Sequence, residues 1–332
     1  MAHSRGGHTM VLTAPLHVVA AVMLADDGRV LLAQRPPGKH LEGLWEFPGG
    51  KLEPGETPMQ ALARELAEEL DIYAEPGSAT PRLRVPWRYG ERALLLDVWT
   101  LRRWRGQPRG VEGQALQWVL PDQCDSALLA PADRAILNSL RLPASYPITP
   151  ADIAPDDYAL WRERLRQALD DGVRLLQLRL PAWSVQQVRV LAADLLPQAR
   201  RQRAHLLLNA DIEGALALGA GVGVQLKRTQ LATLSTRPLP MHQYVGASCH
   251  NAEELTLAQR CGADFATLSP VQPSLSHPGG PALGWPRFTA LAEAAALPVY
   301  ALGGMGRADI ASAQAAGAQG VAGIRGFWRE PG

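Results

Sequence analysis

A chain of 332 residues is longer than a single hydrophobic core usually grows, so two domains are expected, and 47% apolar residues is an ordinary share for a globular chain. With 33 lysines and arginines against 32 acids, the formal charge of +1 gives no reason to expect a nucleic-acid polymer or an anionic membrane as partner. Cys124, Cys249 and Cys261 are odd in number without metal-ligand spacing and read as reduced thiols, and neither MAHSRGGHTM nor any later run has the apolar length of a signal peptide or membrane span, so a cytoplasmic location is expected.

In chain order, HVVAAVML, an Asp26-Asp27-Gly28 turn and VLLAQR predict a β-hairpin that ends at Arg35. A Pro/Gly loop over 36–43 follows. Trp45-Glu46-Phe47-Pro48 then brings aromatic rings up to Gly49-Gly50, where they serve either as a base-stacking wall or as core lining. The two glycines let backbone approach a ligand, and Thr57 as N-cap with Pro58 at N1 opens a helix that runs to about Leu70. Leu62, Leu66 and Leu70 form one stripe of it, and Glu65, Glu68 and Glu69 an adjoining arc. Like charges at these spacings cost an isolated helix a few tenths of a kcal/mol each. A hard divalent cation would relieve that cost, since magnesium takes one or two carboxylates plus substrate phosphates; the plainer alternative is a solvated acidic face partly neutralised by Arg64. Beyond the helix, ALLLDVWTLRRW and QALQWVL predict strands and PADRAILNSL a helix, the alternation of an α/β sandwich.

Gly50, Glu56 and Arg64-Glu65-Leu66-Ala67-Glu68-Glu69-Leu70-Asp71-Ile72 stand at the spacing G-x5-E-x7-R-E-U-x-E-E-x-G-U, with Asp71 in place of the last glycine. This resembles the Nudix box. Because that glycine ends the helix, Asp71 is expected to make a slightly strained C-cap and leave the metal site intact. With the EFPGGK stretch and Val111-Glu112-Gly113-Gln114, residues 18–140 resemble the MutT branch, which hydrolyses oxidised purine nucleoside triphosphates. The resemblance implies Mg2+, with Mn2+ as a substitute, held by the Gly49 carbonyl, Glu65, Glu68, Glu69 and Glu112, with Glu65 or Glu112 orienting the attacking water. It also implies nucleotide contacts from Phe47, from Arg35, which is otherwise a strand-end surface arginine, and from Arg92, which is otherwise a cross-strand surface charge. Asp133 stands where MutT has a base-reading asparagine; an ionised Asp only accepts hydrogen bonds, so it would have to be protonated or meet the base in another pose. The implied reaction is hydrolysis of 8-oxo-dGTP to 8-oxo-dGMP and pyrophosphate.

Arg141-Leu142-Pro143-Ala144-Ser145 reads as a linker, which divides the chain into 1–140, 141–145 and 146–332. After it, apolar strand-like runs alternate with helix-like runs from YPIT through VRLLQLRL, HLLLNA and VYALGG to GVAGI, about eight repeats, which predicts a (β/α)8 TIM barrel behind the α/β/α sandwich. Residues 146–324 resemble thiamine phosphate synthase and its relative TenI through GVRLLQLRL, LLLNADIEGALALGAGVGVQL, VGASCHNAEEL, GADFATLSPVQPS and LPVYALGGM. Arg179, Asn209 and His250 match positions of that family, and Gly303-Gly304 sits where barrels bind phosphate through backbone amides, or is simply a turn. The chain departs from the synthases at Leu180-Pro181, Ala210, Gln225 and His277, which removes an acid and a cation used on pyrophosphate. His250 matches the proton-transfer histidine of TenI-type tautomerases, or is structural.

Two functions are therefore in view. One is a nucleoside triphosphate pyrophosphohydrolase that sanitises the nucleotide pool and carries a degenerate barrel. The other is a thiamine-pathway protein whose barrel binds or tautomerises a thiazole phosphate while the Nudix half hydrolyses a pathway pyrophosphate.

Overall fold

The computed structural model describes residues 14–75, 77–273 and 281–328, so MAHSRGGHTM and His277 lie outside the described residues. In the first half, β1 (Leu16–Met23), β2 (Val30–Gln34), β3 (Trp45–Glu46) and β4 (Gly49–Lys51) precede helix α1 (Pro58–Leu70). Then come β5 (Tyr73–Ala74), β6 (Ala79–Tyr89), β7 (Arg92–Leu101), β8 (Trp104–Arg105), β9 (Leu116–Val119) and helix α2 (Asp133–Arg141). The main sheet is mixed, in the order β4-β1-β7-β6, with β1 antiparallel to β4 and parallel to β7. Side chains alternate across β1: Val19, Ala21 and Met23 pack on Leu62, Leu66 and Leu70 of α1, while Ala20 and Val22 pack with Ile136 and Leu137 of α2. One strand thus serves both helical layers of the sandwich.

The predicted hairpin does not form as a paired unit. The turn forms, with the Ala25 amide donating to Arg29 O at 2.9 Å, but beyond a single Leu24–Val30 bridge the two strands part. Both edges of β1 are taken, by β4 and β7, so β2 pairs instead with β3 and β9 in a second sheet. Strand β6 gave no sequence signal because Pro81 and Pro86 break its pattern; it lies at a sheet edge, where proline is tolerated.

The second half is an eight-stranded parallel barrel. It runs β10 (Ser145–Pro147), α3 (Tyr158–Asp170), β11 (Leu175–Leu178), α4 (Val185–Arg201), β12 (His205–Asn209), α5 (Ile212–Leu218), β13 (Val222–Leu226), α6 (Arg228–Leu231) and β14 (Val245–Cys249). It continues through α7 (Ala252–Arg260), β15 (Phe265–Leu268), α8 (Gly284–Glu293), β16 (Val299–Leu302), α9 (Ile310–Ala315) and β17 (Gly320–Gly323). Strand β10 lies beside β17, and the seam to β11 is closed by an Ile148–Gln177 bridge. Tyr146, Phe265 and Tyr300, with ring centroids 5.4 to 5.5 Å apart, plug the interior, so the barrel is packed and only its mouth is open. All three cysteines are free thiols, and no described helix is long and apolar enough to cross a membrane.

Candidate functional site

Local chemistry sets α1 in place. Thr57 Oγ1 accepts the Gln60 amide at 3.3 Å and Gln60 Oε1 accepts the Thr57 amide at 2.8 Å, a closed capping box. Asp71 ends the helix in the left-handed region (φ 55, ψ 40) and pairs with Arg109 at 2.7 Å. Because Leu62, Leu66 and Leu70 are fully buried, the helix's rotation is fixed. Glu65 turns toward the β4 glycines, so that a Cβ on Gly50 would lie 2.1 Å from its carboxyl carbon. Glu68 keeps 61% of its side chain exposed.

Arg64 is the clamp of this face. Its Nε and Nη1 reach Glu56 at 2.8 Å, Glu65 at 2.9 Å and Glu68 at 3.3 Å, while Nη2 donates to Lys51 O at 2.9 Å. That hydrogen bonding holds the Glu56 carboxyl down to about 2. Glu69 is in the opposite condition: burial, then the nearby Glu65, Glu46 and Glu112 carboxylates, push it up to about 7. Glu112 is met by Lys39 at 2.7 Å, and Glu46 by Arg35.

A second acid lies next to this group. Asp133, 6% exposed at the start of α2, accepts the Phe47 amide at 2.9 Å, and burial followed by the Glu46 charge raises its carboxyl to about 8. Tyr89, whose hydroxyl accepts the Ala132 amide at 3.2 Å, stacks edge-on with His40 at 5.2 Å on the same side. The Phe47 ring, 3% exposed, belongs to the core beneath the sheet, so only its backbone faces Asp133. Arg92 is exposed at the start of β7, across from Tyr89. The fold thus brings Gly49, Glu65, Glu69, Glu112, Arg35 and Asp133 to one side of the sandwich and adds Glu46 and Lys39, which sequence reasoning missed. Lys39 sat in a Pro/Gly loop with no periodic signal.

Among the described residues no three acidic, histidine or cysteine side chains stand close enough to hold an ion as they are, because Arg64 and Lys39 engage the carboxylates. The donor set nonetheless fits a hard divalent cation: oxygen ligands only, around a carboxyl whose proton affinity is raised first by burial and then by three neighbouring carboxylates. Glu65, Glu68, Glu69, Glu112 and the Gly49 carbonyl would hold it.

In the barrel, Arg179, Asn209, His250, Gly303 and Gly304 all line one cavity of about 690 Å³ at the C-terminal ends of the strands. Lys227, Arg228 and Arg325 line it too, and among its described lining residues none is a carboxylate. Arg228 lies 3.9 Å from Glu254, whose other oxygen accepts the His250 amide at 2.7 Å. His250 Nδ1 stands 2.8 Å from Ser269 O, a pure acceptor, so Nδ1 is the donor there and, in the neutral tautomer this contact selects, Nε2 is the acceptor. Gln225, 1% exposed, links Tyr146 and Ser248 inside the barrel.

Two family profiles match the chain: one described as NUDIX domain over residues 19–139, the other as thiamine monophosphate synthase over 145–327. Among curated proteins, CTP pyrophosphohydrolase of Escherichia coli K12 is 42% identical over 126 residues, covering 37% of this chain and 90% of that protein. The 8-oxo-dGTP diphosphatase of the same organism is 31% identical over 126 residues, 38% of this chain and 96% of that protein. Thiamine-phosphate synthase of Thioalkalivibrio sulfidiphilus is 34% identical over 193 residues, 58% of this chain and 90% of that protein.

Proposed function

We propose, for a chain that belongs to the Nudix family through its first half and to the thiamine monophosphate synthase family through its second, a Mg2+-dependent nucleoside triphosphate pyrophosphohydrolase that prefers 8-oxo-dGTP. The observation that carries it is the ring of Glu65, Glu69, Glu46 and Glu112 beside the Gly49-Gly50 turn, with Asp133 at its margin. A divalent cation, when bound, supplies the neutralising charge a triphosphate needs among these carboxylates. Arg64 keeps Glu65 aimed at the glycine turn, and a carboxylate of α1 takes a proton from the attacking water. The water oxygen bonds to phosphorus, the P–O bond of the α–β bridge breaks with its electron pair kept by the departing oxygen, and a nucleoside monophosphate and pyrophosphate result. Arg35 and Lys39, already paired with Glu46 and Glu112, supply positive charge near the phosphates.

Asp133 supports recognition of a base through paired donor and acceptor atoms. Held at about 8, its carboxyl is protonated at neutral pH and offers both an O–H donor and an acceptor oxygen. A guanine-type edge meets that pair with O6 and N1–H and cytosine meets it with N3 and its amino group, so the preference for 8-oxo-dGTP rests on the likeness to 8-oxo-dGTP diphosphatase. The deciding experiment is hydrolysis of 8-oxo-dGTP, dGTP, CTP and thiamine pyrophosphate with Mg2+ by the native chain and by Glu69→Gln. Preferential turnover of 8-oxo-dGTP, lost in the variant, is expected. CTP as the best substrate would overturn the base assignment, and thiamine pyrophosphate as the best would move the Nudix half to the thiamine pathway.

A second reading concerns the barrel alone. Its cationic cavity, with no carboxylate among the described lining residues, supports binding of a small phosphate ester, a thiazole phosphate included, with no metal.

A further inference from the structure

We propose that the barrel is a working part of the nucleotide pocket, with Asn138 and Gln319 as positioning residues that hold α2, and through it Asp133, in place. The inference rests on the pocket around Asp133 receiving a nucleotide, as argued above.

Helix α2 has nine residues, too few to stand alone in water, and it lacks caps of its own. Its N-cap is Ala132, which has no side chain to offer, and no glycine ends it; Leu142 follows in extended conformation. What holds it comes from elsewhere. At the first turn, Asp133 accepts the Phe47 amide and the Ala132 amide donates to Tyr89 Oη at 3.2 Å. At the last turn Gln319 Nε2 of the barrel donates to Leu142 O at 2.7 Å and to Ser139 O at 3.1 Å, the second carbonyl being shared with Arg82 Nη2 of β6 at 2.6 Å.

Asn138, 9% exposed, reaches from the same turn to Asp264 O and Oδ1, both at 3.3 Å. Asp264 is itself immobilised in the barrel, accepting the Val245 amide at 2.7 Å and pairing with Arg237 at 2.8 Å. Tyr300 Oη, from inside the barrel, donates to Pro143 O at 2.6 Å, and Ala296 of the barrel packs in the same buried cluster as Ile136 and Val85. The barrel therefore shares with Arg82 the C-terminal cap of the helix whose first residue is the base-facing acid, and alone takes the Leu142 carbonyl. The carboxylates of α1 depend on none of these contacts, since Arg64 and the Thr57 box hold them.

Loosening the barrel's grip should thus weaken nucleotide affinity and spare the chemical step. In the full-length chain, Gln319→Glu, which is isosteric but offers acceptors to two carbonyls, should raise KM for 8-oxo-dGTP about fivefold or more with kcat within about twofold. Amide exchange at Phe47 should quicken about tenfold. Asn138→Ala should act in the same direction, and Gln319→Lys, which keeps a donor, should restore both values. Unchanged KM and unchanged Phe47 protection in Gln319→Glu would overturn the proposal, as would a parallel loss of kcat and of protection throughout the first half, which reports unfolding. If the native chain hydrolyses no nucleoside triphosphate, the functional assignment fails on its own, and Phe47 exchange in the variants still decides whether the barrel holds this pocket.

Discussion

Gly50 has no unusual backbone angle, so its importance lies in space: an added methyl would meet the Glu65 carboxylate first. A carboxylate at the end of a flexible side chain can swing away cheaply. Gly50→Ala is therefore expected to cost less than about 1 kcal/mol of stability yet to lower kcat/KM about a hundredfold, because displacement of a reacting group by an ångström has that effect. Denaturant titration and steady-state kinetics on one preparation would separate the two; equal losses would mean that Gly50 is merely structural. Asp133 makes a prediction about pH. Its carboxyl is raised from 3.8 to about 8 in the fold, chiefly by burial, so the folded chain keeps a proton that the unfolded chain releases. Its contribution to stability is complete below about pH 4 and declines as pH rises through about 8. Affinity for 8-oxo-dGTP should fall over the upper part of that window as the O–H donor is lost. Asp133→Asn, always a donor, should bind with a flat profile across pH 8, and a native profile already flat there would show that Asp133 does not donate to the base.

At the scale of elements, α1 carries its instructions within a few residues of itself. Thr57→Ala should cost about 1 kcal/mol by opening the capping box. Asp71→Gly should return roughly 1 kcal/mol of left-handed strain, less whatever the exposed Arg109 pair contributes, so thermal unfolding of this variant should rise by a small amount or not at all. A clear fall in melting temperature would mean that the ion pair outweighs the strain. The same locality made α1 legible: its cap, its leucine stripe and its acidic arc all follow from residues three and four apart. Sheet partition was not legible, because nothing in HVVAAVML says that both edges of β1 will be occupied, and β6 hides behind its prolines. The site split along the same line. Glu65 and Glu69 are legible from the helix, whereas Glu46 and Asp133 become neighbours only through the pairing of β3 with β2 and the return of α2. In the barrel, Arg179, Asn209 and His250 follow strand ends and were found by resemblance, while Lys227, Arg228 and Arg325 had no pattern to mark them.

For the molecule as a whole, the departures at Ala210 and His277 argue from sequence against pyrophosphate displacement in the barrel, while the cavity still offers positive charge for an anion. Lys227 and Arg228 follow β13 and Arg325 follows β17, strands that face each other across the eight-membered ring, with Gly303-Gly304 after the intervening side. Positive charge thus stands on opposite rims of a mouth lined, among the described residues, by no carboxylate, and an anion would need no metal bridge to enter it. The two halves should consequently differ in what they require. Nucleotide hydrolysis should stop in excess EDTA, whereas inorganic phosphate or a thiazole phosphate should still raise the barrel's melting temperature there. At a hundred times its Kd such a ligand contributes about 2.7 kcal/mol, which for a domain of this size is several degrees. Paired Lys227→Ala and Arg228→Ala substitutions should remove most of that shift while leaving Mg2+-dependent turnover intact, because neither residue touches α2 or its anchors. A shift that appears only with Mg2+ would mean that the cations do not replace a metal. A shift that survives the double substitution would assign the anion to Arg179, Arg325 and the glycine loops, and would make the β13 rim irrelevant to binding.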